Sequence, residues 1–289
     1  MRVIKRVLFS GILLAGLFLV GATRAAAFQT DQLMPDESAA KAKEILQQVI
    51  QGLGGNTYLK LHDSTCTLRL SQFGHSGDLN GFAKIIDYTI PPYKDRTENL
   101  PKRNQITVLN GDKGWVLDLG GVSEASEVDI SQFQDDIRKD IDNILRHRLT
   151  EPGMILRYGG PDVVDLKEAD WVELVDSENR TIRIAVARST HLPIRKVVVS
   201  RDQNTRTKRD EVEFYSNYHP INGIQTPFQI TRERNGIKVY QAFFEGCDYN
   251  TNLSDSYFTK DSLEERWAKV GKKHKEKKSD KDKHDSSSK

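Results

Sequence analysis

The residues of this 289-residue chain that could bind metal, cycle electrons or move protons are seven histidines, two cysteines and a few adjacent carboxylates. The histidines are His62, His75, His147, His191, His219, His274 and His284. None forms a His-x-x-x-His or His-Glu-x-x-His pair, the spacings that put two imidazoles on one helix face to hold zinc. His147 stands between Arg146 and Arg148 near the end of a helical pattern, where a cation suits the helix dipole, so its role reads as structural. Asp135-Asp136 and Glu264-Glu265 are neighbours along helices and point to different faces, which makes them solvated surface rather than an acid–base pair. Gly120-Gly121 and Gly159-Gly160-Pro161 read as turns, and neither a Gly-x-Ser-x-Gly elbow nor a Gly-x-x-x-x-Gly-Lys phosphate loop occurs. Cys66 and Cys247 lack a Cys-x-x-Cys partner motif, so a thiol-redox site or zinc ribbon is unsupported. A disulfide between them and two separate buried thiols are both open readings, because pairing depends on a Cα separation that the sequence does not contain. The chain thus nominates no catalytic, cofactor or metal residue, and the expectation is a protein that is not an enzyme.

The formal charge of +2 conceals three unlike segments. Residues 1–27 are basic without an acid, and 271–289 hold eight Lys against Glu276, Asp280, Asp282 and Asp285. What lies between, 28–270, has 31 basic and 37 acidic residues, a net charge of −6. A nucleic-acid-binding body is disfavoured, since counterion release requires a clustered basic face. The apolar run Val7–Val20 follows Arg2, Lys5 and Arg6 and ends in Ala25-Ala26-Ala27, the layout of a secretory signal peptide; cleavage is expected before Phe28. Only this run approaches membrane length, which excludes a multi-span protein, and it is short of the ~20 residues of a span.

What must position any site is a helix followed by strands. Ala42, Ile45, Leu46, Val49, Ile50 and Leu53 form one stripe of an amphipathic helix over Asp36–Leu53, and Gly54-Gly55 stands where its cap falls. Cys66, Leu68 and Leu70 then alternate with polar residues, Phe82–Ile90 is β-rich, and Ile106–Leu109, Asn110-Gly111 and Trp115–Leu119 read as a hairpin. The spacing from Ile130 to Leu149 predicts a second helix over Asp129–Leu149. After Pro152 come seven strand-like stretches, around 154–158, 171–176, 181–187, 194–200, 211–218, 228–234 and 238–248, with connections too short for crossover helices. The fold class is therefore α+β: a long curved antiparallel sheet with two main helices on one face. Two helices cannot cover about ten strands, so a concave, partly apolar cleft is expected.

In this order, several segments resemble the periplasmic lipoprotein-localisation group, the LolA/LolB-like carriers and lipoprotein-sorting proteins. They are Leu53-Gly54-Gly55, the run Asn110-Gly111-Asp112-Lys113-Gly114-Trp115, Thr190-His191-Leu192-Pro193-Ile194-Arg195, and the stretch from Tyr215 through Asn222-Gly223 to Pro227. Each is generic alone; the likeness lies in their order across 41–248. The resemblance implies an incomplete β-barrel capped by helices, with an apolar cavity for the acyl chains of a lipid or lipoprotein. On that reading residues 1–27 are the signal, 28–262 a single domain and 263–289 a disordered Lys-rich tail able to touch anionic lipid. The expected protein is a periplasmic monomer that carries lipid, needs no cofactor and binds no nucleic acid. The alternative is a sensor or assembly module on the same fold, its cavity filled by its own side chains.

Overall fold

Period-two patterning builds a single antiparallel sheet. A computed structural model describes residues 33–201 and 207–269; the signal segment, cleavage position and Lys-rich end lie outside them. The strands are β1 (Ser64–Phe73), β2 (Leu79–Ile90), β3 (Lys94–Leu100), β4 (Ile106–Asn110), β5 (Lys113–Asp118), β6 (Gly121–Glu124), β7 (Ile155–Val164), β8 (Lys167–Val175), β9 (Thr181–Ala187), β10 (Pro193–Arg201), β11 (Lys208–Ile221), β12 (Ile224–Arg234) and β13 (Ile237–Tyr249). Their spatial order is β6-β5-β4-β3-β2-β1-β13-β12-β11-β10-β9-β8-β7. Two meanders therefore join where β1 meets β13, and β6 and β7 remain unpaired edges. This is an α+β incomplete barrel, in which alternation gives every strand an inner and an outer face.

Helix α1 (Pro35–Leu53) packs its stripe on the inner face of β7–β10. Ile45, Leu46 and Val49 meet Val172, Leu174, Ile182 and Ile184 in the main apolar core. Gly54, at φ +132°, ends the helix, and a Cβ there would stand 2.5 Å from the Gly223 carbonyl oxygen. The β11–β12 turn and the end of α1 can approach this closely only because residue 54 has no side chain. A Cβ on Gly52 would likewise come within 3.2 Å of the Thr190 and His191 carbonyls. Three segments far apart in sequence thus nest at one corner, joined by the short helix α2 (Asn56–Leu59).

The second long helix is broken. Helix α3 (Glu127–Lys139) starts at Ser126, whose Oγ accepts from Asp129 N at 3.1 Å. Asp140 then leaves helical geometry (φ −62°, ψ 131°) and its carboxylate caps α4 (Ile141–Asn143) by accepting from Asn143 N at 2.8 Å. A π-helical turn, Ile144–Arg148, follows. Asp favours a cap over a helix interior, which is why the apolar spacing continued through a bend.

Three further expectations are corrected. Gly159-Gly160-Pro161 is no turn but lies inside β7, where the register slips between Tyr158 and Gly160; a Cβ on Gly159 would meet Trp171 Cβ at 2.8 Å. The helices also lie on both faces. Asp255–Phe258 forms a 3-10 turn, residues 260–269 form α5, and both cover the outer face of β2–β5, with Phe258 and Leu263 fully buried against Ile106, Val108 and Leu117. Packing thus continues past residue 262. Here the buried Arg96 guanidinium meets Glu98 at 2.7 Å, donates to the Tyr257 carbonyl and stacks 4.0 Å over the Tyr257 ring.

Candidate functional site

The inner face divides into two halves. Over β7–β11 it is closed by α1, α4 and the π turn. Over β1–β4 and β12–β13, among the described residues, helix contact is confined to the end of α1 against the start of β12 and to α3 at the edge. There Leu68, Ile85 and Ala242, with partly buried Leu70, Ala83, Ile230 and Phe244, make an apolar floor. At one end the floor enters a cavity of about 370 Å³ beneath Phe133 and Ile137 of α3. At the other it runs into a second hollow, of about 330 Å³, where Leu70, Ala83 and Ile85 meet the polar Gln72, Thr97, Asn99, Gln105 and Thr107. These volumes fall within or near the usual range for ligand sites.

Cys66 and Cys247 sit in this floor as direct cross-strand partners, and their sulfurs are 2.09 Å apart, a disulfide that fastens β1 to β13. The bridge ties the two meanders together beside the 370 Å³ cavity, which both cysteines line. The other sequence candidates do not converge. His147 lines another cavity, of about 650 Å³, with Arg138, Arg148 and Asp112. Partial burial and the Arg146 charge lower its pKa, so it is a neutral imidazole rather than a cation matched to the helix end. Asp135 and Asp136 are ion-paired, to Lys139 and Arg180 and to Lys139 and Arg232. His219 stacks edge-on against Phe228. Among the described residues, no three His, Cys, Asp or Glu side chains are placed to share a metal ion.

Carboxylates that the sequence reading did not single out line the groove wall. Asp87 and Asp95 on β2 and β3 share Thr97, whose hydroxyl lies 3.3 Å from each. Enclosure by protein and the nearby Asp87 charge push Asp95 well above the usual carboxylate range. The groove's low-dielectric surroundings and neighbouring Asp142 push Asp140 up to about 6. These acids therefore burden the wall with less charge than their number suggests.

Between the halves stands a buried ionic seam. Glu213 is held by Lys196 at 2.7 Å and Arg232 at 2.7 Å, and accepts from the Tyr215 hydroxyl. Glu211 meets Lys139 at 2.9 Å, Arg209 at 2.7 Å and Arg234 at 3.2 Å. Burial opposes ionisation of both, but the surrounding cations prevail and hold each near 2. Their signal was present in the sequence: acids at alternate positions 211 and 213 of one strand, on the face shared with Tyr215. The seam seats α3 between the two halves.

No protein-family model matches the sequence, and no curated protein does. Solved structures with the same fold are similar to it. A DUF1329 family protein from Desulfovibrio piger aligns at 16% identity and TM-score 0.56, covering 77% of this chain and 98% of that one. A domain named for outer membrane lipoprotein sorting from Vibrio parahaemolyticus aligns at 11% identity and TM-score 0.53, covering 78% and 99%. A LolA superfamily protein from Nitrosomonas europaea aligns at 16% identity and TM-score 0.50, covering 77% and 99%. The fold is LolA-like.

Proposed function

We propose that this protein is an envelope carrier that shelters acyl chains of a lipid or lipoprotein in the groove over β1–β4 and β12–β13. The observation that carries the reading is the apolar cluster of Leu68, Leu70, Ile85, Ala242 and Phe244 with cavities of about 370 and 330 Å³ at its two ends. An acyl chain laid there gains about 0.8 kcal/mol per buried methylene, and nothing in the site requires a reaction. The fold-level likeness to a lipoprotein-sorting domain and a LolA superfamily protein supports the same assignment. No helix among the described residues is long and apolar enough to span a membrane. Residues 1–27 are proposed to direct export and to be cleaved before Phe28, leaving a monomeric carrier.

The test is lipid extraction and mass spectrometry of protein purified from the envelope, with uptake of a soluble fluorescent acyl probe. Ala83→Trp, which places an indole in the hollow at one end of the floor, is expected to lower probe uptake at least ~10-fold while moving stability by under ~1 kcal/mol. Protein that is always empty and takes up no probe contradicts the reading. One observation favours the non-transporting alternative: beyond the seam, Tyr58, Tyr215, Tyr218 and Tyr240 crowd the continuation of the groove down to about 160 Å³. If that filling extends through the groove in solution, the fold serves as a sensing or assembly surface, and probe uptake is absent from wild type and Ala83→Trp alike.

A further inference from the structure

The groove's far end is formed by two hairpins whose turns touch: Ile237 of β13 packs 3.8 Å from where a Cβ on Gly77 of the β1–β2 turn would stand. Large apolar side chains project from this end. Phe82 is 83% exposed, Leu79 59% and Ile237 43%. Single exposed apolar residues are ordinary, but a cluster beside a cavity mouth marks an interaction site. Phe82 borders the hollow that opens onto the floor, with its ring on the opposite face of β2 from Ala83 and Ile85.

The charge at this end also departs from that of the body. Residues 28–270 are net acidic, yet around the β1–β2 tip Arg69, Lys84, Lys102 and Arg103 outnumber Asp78, Glu245 and the buried Glu98, while at the β12–β13 tip Arg234 and Lys238 stand level with Asp210 and Glu233. Arg69 and Lys84 share one partner, Glu245, at 2.7 and 2.6 Å. Lys238 rests 5.1 Å from the Phe73 ring centre. Aromatic and aliphatic tips ringed by cations are what an anionic bilayer surface selects: the apolar groups enter the headgroup boundary, the cations stay at the phosphates. A second exposed tip, Val163 and Leu166 on the β7–β8 turn, lies on the other meander, away from the groove.

We propose that the β1–β2 and β12–β13 tips dock the protein on an anionic membrane. The purpose of docking rests on the carrier reading; the docking itself does not. Exposed tip residues and a cationic rim require only a bilayer.

The experiment is sedimentation of the full chain with vesicles of phosphatidylglycerol and phosphatidylcholine, or of phosphatidylcholine alone. Wild type is expected to bind the anionic vesicles, to bind the neutral ones at least ~10-fold more weakly, and to release as salt rises. Leu79→Ser with Phe82→Ser is expected to cut binding at least ~10-fold. Phe82→Trp is expected to retain binding, because indole favours the interface, and Val163→Ser with Leu166→Ser is expected to leave it unchanged. Equal thermal midpoints separate lost docking from lost folding. Leu79→Ser with Ile237→Ser, at exposed tip positions that line neither the floor nor its hollows, should weaken docking while leaving soluble acyl-probe uptake unchanged, so the two proposals fail separately: docking without uptake contradicts only the carrier reading. Wild type that binds neither vesicle, or serine variants that bind as well as wild type, overturns the docking proposal. So does a dimer in sedimentation velocity that the serine variants abolish, because the patch then belongs to a second copy of the chain.

Discussion

The two halves of the inner face are built from the same alternating strands and end differently. Over β7–β10, α1 presents Ala42, Ile45, Leu46, Val49 and Leu53, and the inward-facing Val172, Leu174, Ile182, Ile184 and Val198 pack into the same core. Over β1–β4 and β12–β13 the helix available is α3, whose sheet-side residues include Asp136 and Lys139, and it docks on charges along the boundary instead of covering the floor. An apolar stripe closes a sheet face. A charged one tethers to it and leaves it open. The groove exists because the second helix carries the wrong chemistry to fill it.

The comparison breaks most sharply at the seam. Glu213→Ala leaves Lys196 and Arg232 buried without their carboxylate and is expected to cost about 3–5 kcal/mol in chemical denaturation. A loss below ~1 kcal/mol would mean that the seam does not organise the boundary. The next contrast is between cores. Leu46→Ala in the closed half should cost about 3 kcal/mol, whereas Leu70→Ala, partly buried in the open floor, should cost about 1 kcal/mol, with urea midpoints to match. Equal losses would show the open half to be as well packed as the closed one.

Reduction of the Cys66–Cys247 bridge tests how the meanders are joined. It is expected to cost about 2–3 kcal/mol, read as a fall in thermal midpoint under reductant, since the bridge closes a long loop while the strand pairing on either side persists. Mass spectrometry without reductant reports whether the bond is present at all.

The smallest effect is in pH. The depressed carboxylates Glu211 and Glu213 contribute stability above their unfolded value of about 4.5, and it is lost as pH falls from there toward 2. Asp140 works with the opposite sign: its neutral form is favoured in the fold, so its contribution is complete below about 3.9 and disappears as pH rises through about 6. Asp140→Asn keeps the cap on α4 and removes the charge. It should be slightly more stable than wild type above pH 6 and no better below pH 4, by well under ~1 kcal/mol because solvent reaches this side chain. A variant that loses stability equally at both pH values would show the cap, and not the charge, to matter.

Much of the fold was legible because its signals are local. The α1 stripe, the Asn110-Gly111 and Asn222-Gly223 turns and the later strands each declare themselves within a dozen residues. Strand β3 did not, because Lys94-Asp95-Arg96-Thr97-Glu98 reads as a solvated run. Arg96 and Glu98 are buried only because Tyr257 and Ser262, more than 150 residues away, arrive to satisfy them. The break at Asp140 was hidden for a related reason: apolar spacing persists through the bend, and the cap is recognised only when Asn143 N meets its carboxylate.

Composition and periodicity alone determined an antiparallel α+β fold with too little helix to cover its sheet, two cysteines on strands and no assembled catalytic motif. Where the bare surface lies was decided by tertiary structure. Which half α1 covers depends on Gly52 and Gly54 nesting against the 190–191 and 222–223 turns, and the pairing of β1 with β13 brings Cys66 opposite Cys247. The acids at the groove are ordinary surface residues until neighbouring strands and α3 surround them. Spacing along the chain records which face a side chain takes, but not which distant segment comes to meet that face.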